Sequence, residues 1–220
     1  MESKNLLNYE PLDYKREIEN FSSELTVYNK RCIVKKIIFI KSIFDNENTS
    51  HYKKCIVFDL LSSIFCLERR QKRYYFFNIR SSIENLLRII LELTDEDSTG
   101  VNELFKQCEV KFKESEEIEL FNYIKGEYTT CCDYVHSNIS SNISIDNYYC
   151  EIIRANINEY EFKKVSDKLE TFLKKICEII IIFFTEEVYN VYYKKINSLK
   201  ILLNKDILEK YKILYKRKLD

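Results

Sequence analysis

Two short stretches carry the side chains whose types and spacing suit chemistry. In "RSSIENLLRII", residues 80 to 90, Arg80, Glu84 and Arg88 recur at i, i+4 and i+8 of a helical pattern. A guanidinium offers five donors in a rigid fork that fits a carboxylate or a phosphate. A glutamate four residues on can hold that fork in place. In "CCDYVHSN", residues 131 to 138, His136 is one of only two histidines in the chain. Imidazole changes charge near neutral pH and can take or orient the proton of a hydroxyl. A histidine there could position a reacting hydroxyl if a cation lay nearby. The same residues also suit plainer work. Arg80, Glu84 and Arg88 could be solvated i,i+4 ion pairs worth a few tenths of a kcal/mol each. His136 could simply close a helix, where a protonated imidazole is favoured. The choice depends on whether the two stretches meet.

The elements that must position them are helices. The chain has 220 residues, with only two Gly and one Pro. Sheet proteins need turns and turns use those residues, whereas long helices do not. The expected class is an all-α, single-domain helical bundle, since no Gly- or Pro-rich linker divides the chain. Pro11 and Asp13 open a first helix expected over 12 to 44, with Ile33, Lys36, Ile37, Ile40 and Phe44 near one face. "DNENTS" (45 to 50) reads as a loop. From His51 to Leu93 the periodicity is helical, interrupted by "ERRQKR" (68 to 73), which predicts a short break or one long bent helix. Ile79, Ile83, Leu86, Leu87, Ile90 and Leu93 form the apolar face behind Arg80.

Beyond that face, "TDEDSTG" predicts a loop and residues 101 to 109 a short helix. Ser115 looks like an N-cap for a helix over about 116 to 138. Leu120, Phe121, Ile124, Tyr128, Cys131, Cys132 and Val135 make its stripe. "SNISSNISIDN" breaks the pattern. Helix is then expected to about 203, with "EIIIIFFTEEVYNVYY" as a core segment, before Asp206 caps a last helix.

Several function classes find no support. Net charge is zero, so no global basic field gathers nucleic acid; contact would need a local patch. "ERRQKR" followed by "YYFF" is the densest such patch, and basic groups beside aromatics can hold phosphates and stack bases. The cysteines, at 32, 55, 66, 108, 131, 132, 150 and 177, form no CxxC pair. They read as free thiols of a reducing cytosol, with no metal site or cofactor expected. No Gly-rich phosphate loop, HExxH or GxSxG occurs. No apolar run reaches the roughly 20 residues of a membrane span, and the start "MESKNLLNYEPLDYKRE" is polar, so a cytoplasmic protein is expected.

The order "RSSIENLLRIIL" then "YVHSNIS" resembles the HEPN superfamily in its prokaryotic defence-associated branches. The matching positions are Arg80, Glu84, Asn85, Arg88, Tyr134, Val135, His136 and Ser137. The resemblance implies an α-helical bundle with a core at about 50 to 200 that commonly forms a homodimer. It also implies metal-independent RNA cleavage in a defence or toxin-type system, or a non-catalytic relative that binds a partner protein or nucleic acid. On the first reading Arg80 stabilises the scissile phosphate, His136 acts in proton transfer or hydroxyl positioning, and Glu84 holds Arg80 in place. Asn85, Arg88, Tyr134 and Ser137 then contact substrate. One departure is plain: no Arg precedes either histidine by four to six residues, as it does in the familiar nuclease branches. Arg80 and His136 would have to converge from two helices.

Overall fold

The computed structural model describes residues 27–44, 50–136 and 159–219, and among these every regular element is an α-helix. The all-α expectation holds. The helices are α1 (Val27–Phe44), α2 (His51–Glu68), α3 (Lys72–Ile90), α4 (Val101–Glu114) and α5 (Ile118–Val135). They continue as α6 (Glu159–Phe183), α7 (Thr185–Tyr192), α8 (Ile196–Leu202) and α9 (Lys205–Leu219). The expected start near residue 12, most of the 45-to-50 loop and the "SNISSNISIDN" break lie outside the described residues.

The chain divides into two compact units, Asn46–Val165 and Met1–Asp45 with Ser166–Asp220. One boundary of this division falls between Asp45 and Asn46, and the other falls inside α6. In the first unit α3 packs against α2, α4 and α5. Ile56, Leu60, Ile64 and Leu67 of α2 are buried at helical spacing, as are Ile79, Ile83, Leu86, Leu87 and Ile90 of α3. Phe105, Phe112 and Phe121 join α4 to α5 in an aromatic cluster with centroids 5.6 and 6.1 Å apart. In the second unit the predicted α1 stripe is buried entire, Lys36 included at 2% exposure. Its ammonium donates to the Cys32 carbonyl at 3.2 Å and lies 3.6 Å from Glu170.

Three helix ends explain how a chain with two glycines still turns. Arg70, Glu92 and Glu116 sit at φ of 57°, 56° and 61°, the left-handed region usually given to glycine. Each closes a Schellman motif. Gln71 N–H donates to the Cys66 carbonyl and Arg70 N–H to the Leu67 carbonyl after α2. The same pairings run from Leu93 to Arg88 and Glu92 to Ile89, and from Glu117 to Phe112 and Glu116 to Lys113. The "ERRQKR" interruption is therefore a break, not a bend.

Several helix boundaries differ from the expected ones. Ser115 closes α4 rather than capping α5, and α4 is longer than expected. Glu117 is the N-cap of α5, which ends at Val135. Helix reaches Leu202, near the expected 203, but not unbroken: it stops at Phe184 and again at Tyr193 to Lys195. Asp206 lies in the first turn of α9 rather than before it. The Ile179 to Ile181 run is fully buried, as a core segment should be.

Four buried cysteines, Cys66, Cys108, Cys131 and Cys177, are free thiols. Burial pushes the Cys108 and Cys177 thiols up to about 12, so both stay protonated at neutral pH.

Candidate functional site

The two stretches meet. Arg80 lies mid-way along α3, and His136 is the residue that closes α5. One guanidinium nitrogen, Nη1 of Arg80, is 3.1 Å from Nε2 of His136. Arginine has only donors, so this contact is a hydrogen bond when Nε2 carries the lone pair and the ring proton sits on Nδ1. Arg80 Nε donates to Glu84 Oε1 at 3.0 Å and to the Tyr128 hydroxyl at 3.2 Å. That hydroxyl donates in turn to Glu84 Oε1 at 3.1 Å. A guanidinium, a carboxylate and a phenol thus close a triangle between α3 and α5, and the histidine hangs on the guanidinium's outer edge.

The local sequence explains the fit. Arg80, Glu84 and Arg88 are one face of α3 at i, i+4 and i+8. Tyr128, Cys132 and His136 are one face of α5 at the same spacing. Two helices with matched pitch present residues in step, so Arg80 meets Tyr128 and His136 while Glu84 meets Tyr128. Behind the site, Phe76 lies flat on Tyr134, with ring centroids 4.0 Å apart and planes 4° apart. Lys72 stands 4.8 Å over the same Tyr134 ring and 3.5 Å from Glu161. Arg73 Nη2 donates to the Val135 carbonyl at 2.7 Å, occupying a backbone oxygen that the end of α5 leaves open.

The charge states follow from these contacts. Burial works against the Arg80 cation, but the Tyr128 hydroxyl and the Glu84 carboxylate outweigh it and hold the pKa above its ordinary value. Burial pushes the Tyr128 phenol up, and the Glu84 charge adds to that, so the hydroxyl stays protonated and able to donate. Arg80 and Glu84 keep 24% and 22% of their side-chain surface, and His136 is exposed. The guanidinium is therefore partly open to solvent, and the imidazole beside it is open as well.

Not every expected substrate contact points here. Asn85 turns to α2 and donates to Asp59 Oδ2 at 2.9 Å. Burial raises the Asp59 pKa, against bonds from Ser81 and Asn85 that favour the anion. Arg88 lies 4.0 Å from Glu84 Oε2 and stacks 5.5 Å over Tyr52, next to the loop before α4. Tyr134 is stacked on Phe76 beside the site, and Ser137 lies outside the described residues. The other histidine, His51, is exposed at the start of α2, with its ring 3.1 Å from the Cys55 sulfur. Tyr128 is the member that sequence reasoning left in the apolar stripe. The signal was there: it precedes His136 by eight residues on the same helix face.

Among the described residues no group of three or more His, Cys, Asp or Glu side chains is placed to share a metal ion, and no helix is long and apolar enough to cross a membrane. The chain matches no family model, no curated protein and no solved structure.

Proposed function

We propose that this chain is a HEPN-like helical protein of a prokaryotic defence or toxin-type system, and that Arg80 and His136 cleave RNA without a metal ion. The observation that carries the reading is the 3.1 Å approach of Nη1 of Arg80 to Nε2 of His136, on the open side of a guanidinium fixed from behind by Glu84 and Tyr128. In this reading an incoming phosphate draws Nη1 of Arg80 away from His136, and the freed Nε2 takes the proton of a ribose 2′-hydroxyl. The 2′-oxygen attacks the adjacent phosphorus, and the bond to the 5′-oxygen breaks. The products are a 2′,3′-cyclic phosphate and a 5′-hydroxyl that receives the proton. Arg80 neutralises charge gathering on the phosphoryl oxygens, which is worth most in a site whose donors are already oriented. A homodimer in the cytoplasm belongs to the same reading through the family resemblance.

A second reading has its own observation. Arg80 Nε is bonded twice within the bundle, and Asn85 and Arg88 are engaged on α2. A network spent on packing suits a catalytically silent module that binds a partner protein or nucleic acid.

Incubation of wild type, Arg80→Ala and His136→Ala with total RNA in EDTA separates the two. Cleavage by wild type, lost in both variants while their circular dichroism is unchanged, supports the nuclease. Absence of cleavage by wild type across structured and unstructured RNAs leaves the silent module.

A further inference from the structure

We infer that Phe77 is a base-stacking platform beside the Arg80–His136 pair, and that the RNA entering there is single-stranded. The inference rests on the reading of that pair as a phosphodiester site. Arg73, Phe77 and Arg80 follow one another at i, i+4 and i+7, so they share one face of α3. Both arginines are anchored to the same place, the end of α5: Arg73 on the Val135 carbonyl at 2.7 Å, Arg80 on His136 at 3.1 Å. Phe77 lies between them, one turn from each, and is 55% exposed. Its neighbour Phe76 occupies the buried position, stacked on Tyr134. The helix therefore has its core aromatic already, and Phe77 is not among the buried residues.

An exposed Phe alone is ordinary protein surface. An exposed Phe flanked within a turn by two oriented guanidinium groups is different, because the chemistry around it matches one kind of ligand. A nucleotide joins a flat apolar base to an anionic phosphate. About 4.5 Å of helix rise separates Phe77 from Arg80, a span that a single nucleotide can bridge. Every base has a π-face, so stacking on Phe tolerates any sequence, while the arginines attract the backbone. Lys72 adds less, since Glu161 lies 3.5 Å from it. A duplex keeps its base faces inside the helix and has none to offer Phe77. The strand must be unpaired at this point.

The chain contains no tryptophan, so Phe77→Trp introduces a unique reporter. The full chain carrying Phe77→Trp and His136→Ala is titrated with a mixed-sequence single-stranded oligoribonucleotide and with its blunt duplex. Saturable quenching by the single strand and not by the duplex is expected. Phe77→Ala is expected to melt like wild type and to bind the single strand about tenfold more weakly. Equal quenching by the duplex overturns the inference, as does binding by Phe77→Ala at wild-type strength, or no binding of either RNA. If wild type cleaves RNA and Phe77→Ala cleaves single strands equally well, the stacking role falls and the nuclease stands. If stacking is seen and wild type cleaves nothing, the nuclease falls and Phe77 remains a nucleic-acid contact.

Discussion

Replacing Tyr128 with Phe removes one oxygen atom from the triangle that fixes Arg80, and nothing else. The ring keeps its edge contact with Phe105, at 4.9 Å between centroids. Two hydrogen bonds vanish, one from Arg80 Nε at 3.2 Å and one to Glu84 Oε1 at 3.1 Å. A bond to a charged partner contributes about 1.5 to 3 kcal/mol. Both partners here are about a quarter exposed, and Arg80 and Glu84 still hold each other at 3.0 Å. Water and the surviving ion pair therefore recover part of the loss, and the expected cost is about 2 kcal/mol. Urea unfolding should show it as a lower midpoint with an unchanged slope. A double-mutant cycle of Tyr128→Phe with Glu84→Gln should give a coupling of about 1 kcal/mol, because the residues share a bond. In the nuclease reading the freed guanidinium wanders, so kcat falls while KM changes little. A Tyr128→Phe protein within about 0.5 kcal/mol of wild type, or a cycle additive to about 0.3 kcal/mol, refutes the triangle as a source of order.

Three further outcomes are expected. Arg70→Gly, Glu92→Gly and Glu116→Gly each relieve a left-handed L-residue, and each should stabilise by about 0.5 to 1 kcal/mol in urea unfolding despite the added freedom of the unfolded chain. Lys36→Ala leaves a void beside Glu170 and removes the cation 3.6 Å from it, at a cost of about 3 kcal/mol, whereas Lys36→Met fills the space and should cost less than half of that on thermal or urea unfolding. Burial raises the Asp59 pKa above its ordinary 3.8, so the folded state holds the proton more tightly than the unfolded chain. That contribution to stability is complete below 3.8 and is lost as pH rises through the folded value. Asp59→Asn should remove this dependence in unfolding measured from pH 3 to pH 7.

Much of the helical frame can be read directly. Scarce Gly and Pro, with apolar residues at three- and four-residue spacing, place α2, α3 and α5 within a few residues. Helix ends were harder, for a physical reason. Arg70, Glu92 and Glu116 adopt backbone angles that their side chains do not advertise, and the Schellman bonds that compensate them are made by backbone atoms alone. A serine such as Ser115 satisfies the composition rule for an N-cap, yet it closes the helix before it.

The partners of Arg80 divide along the same line. Glu84 is legible at four residues, because helical pitch alone puts the two side chains together. Whether His136 and Tyr128 face α3, and whether Asn85 faces RNA or Asp59, depends on how α5 and α2 are rotated and slid against α3. Local periodicity determines which residues share a face of one helix. Only packing between helices, a sum of many weak contacts over the buried surface, decides which faces meet and at what register.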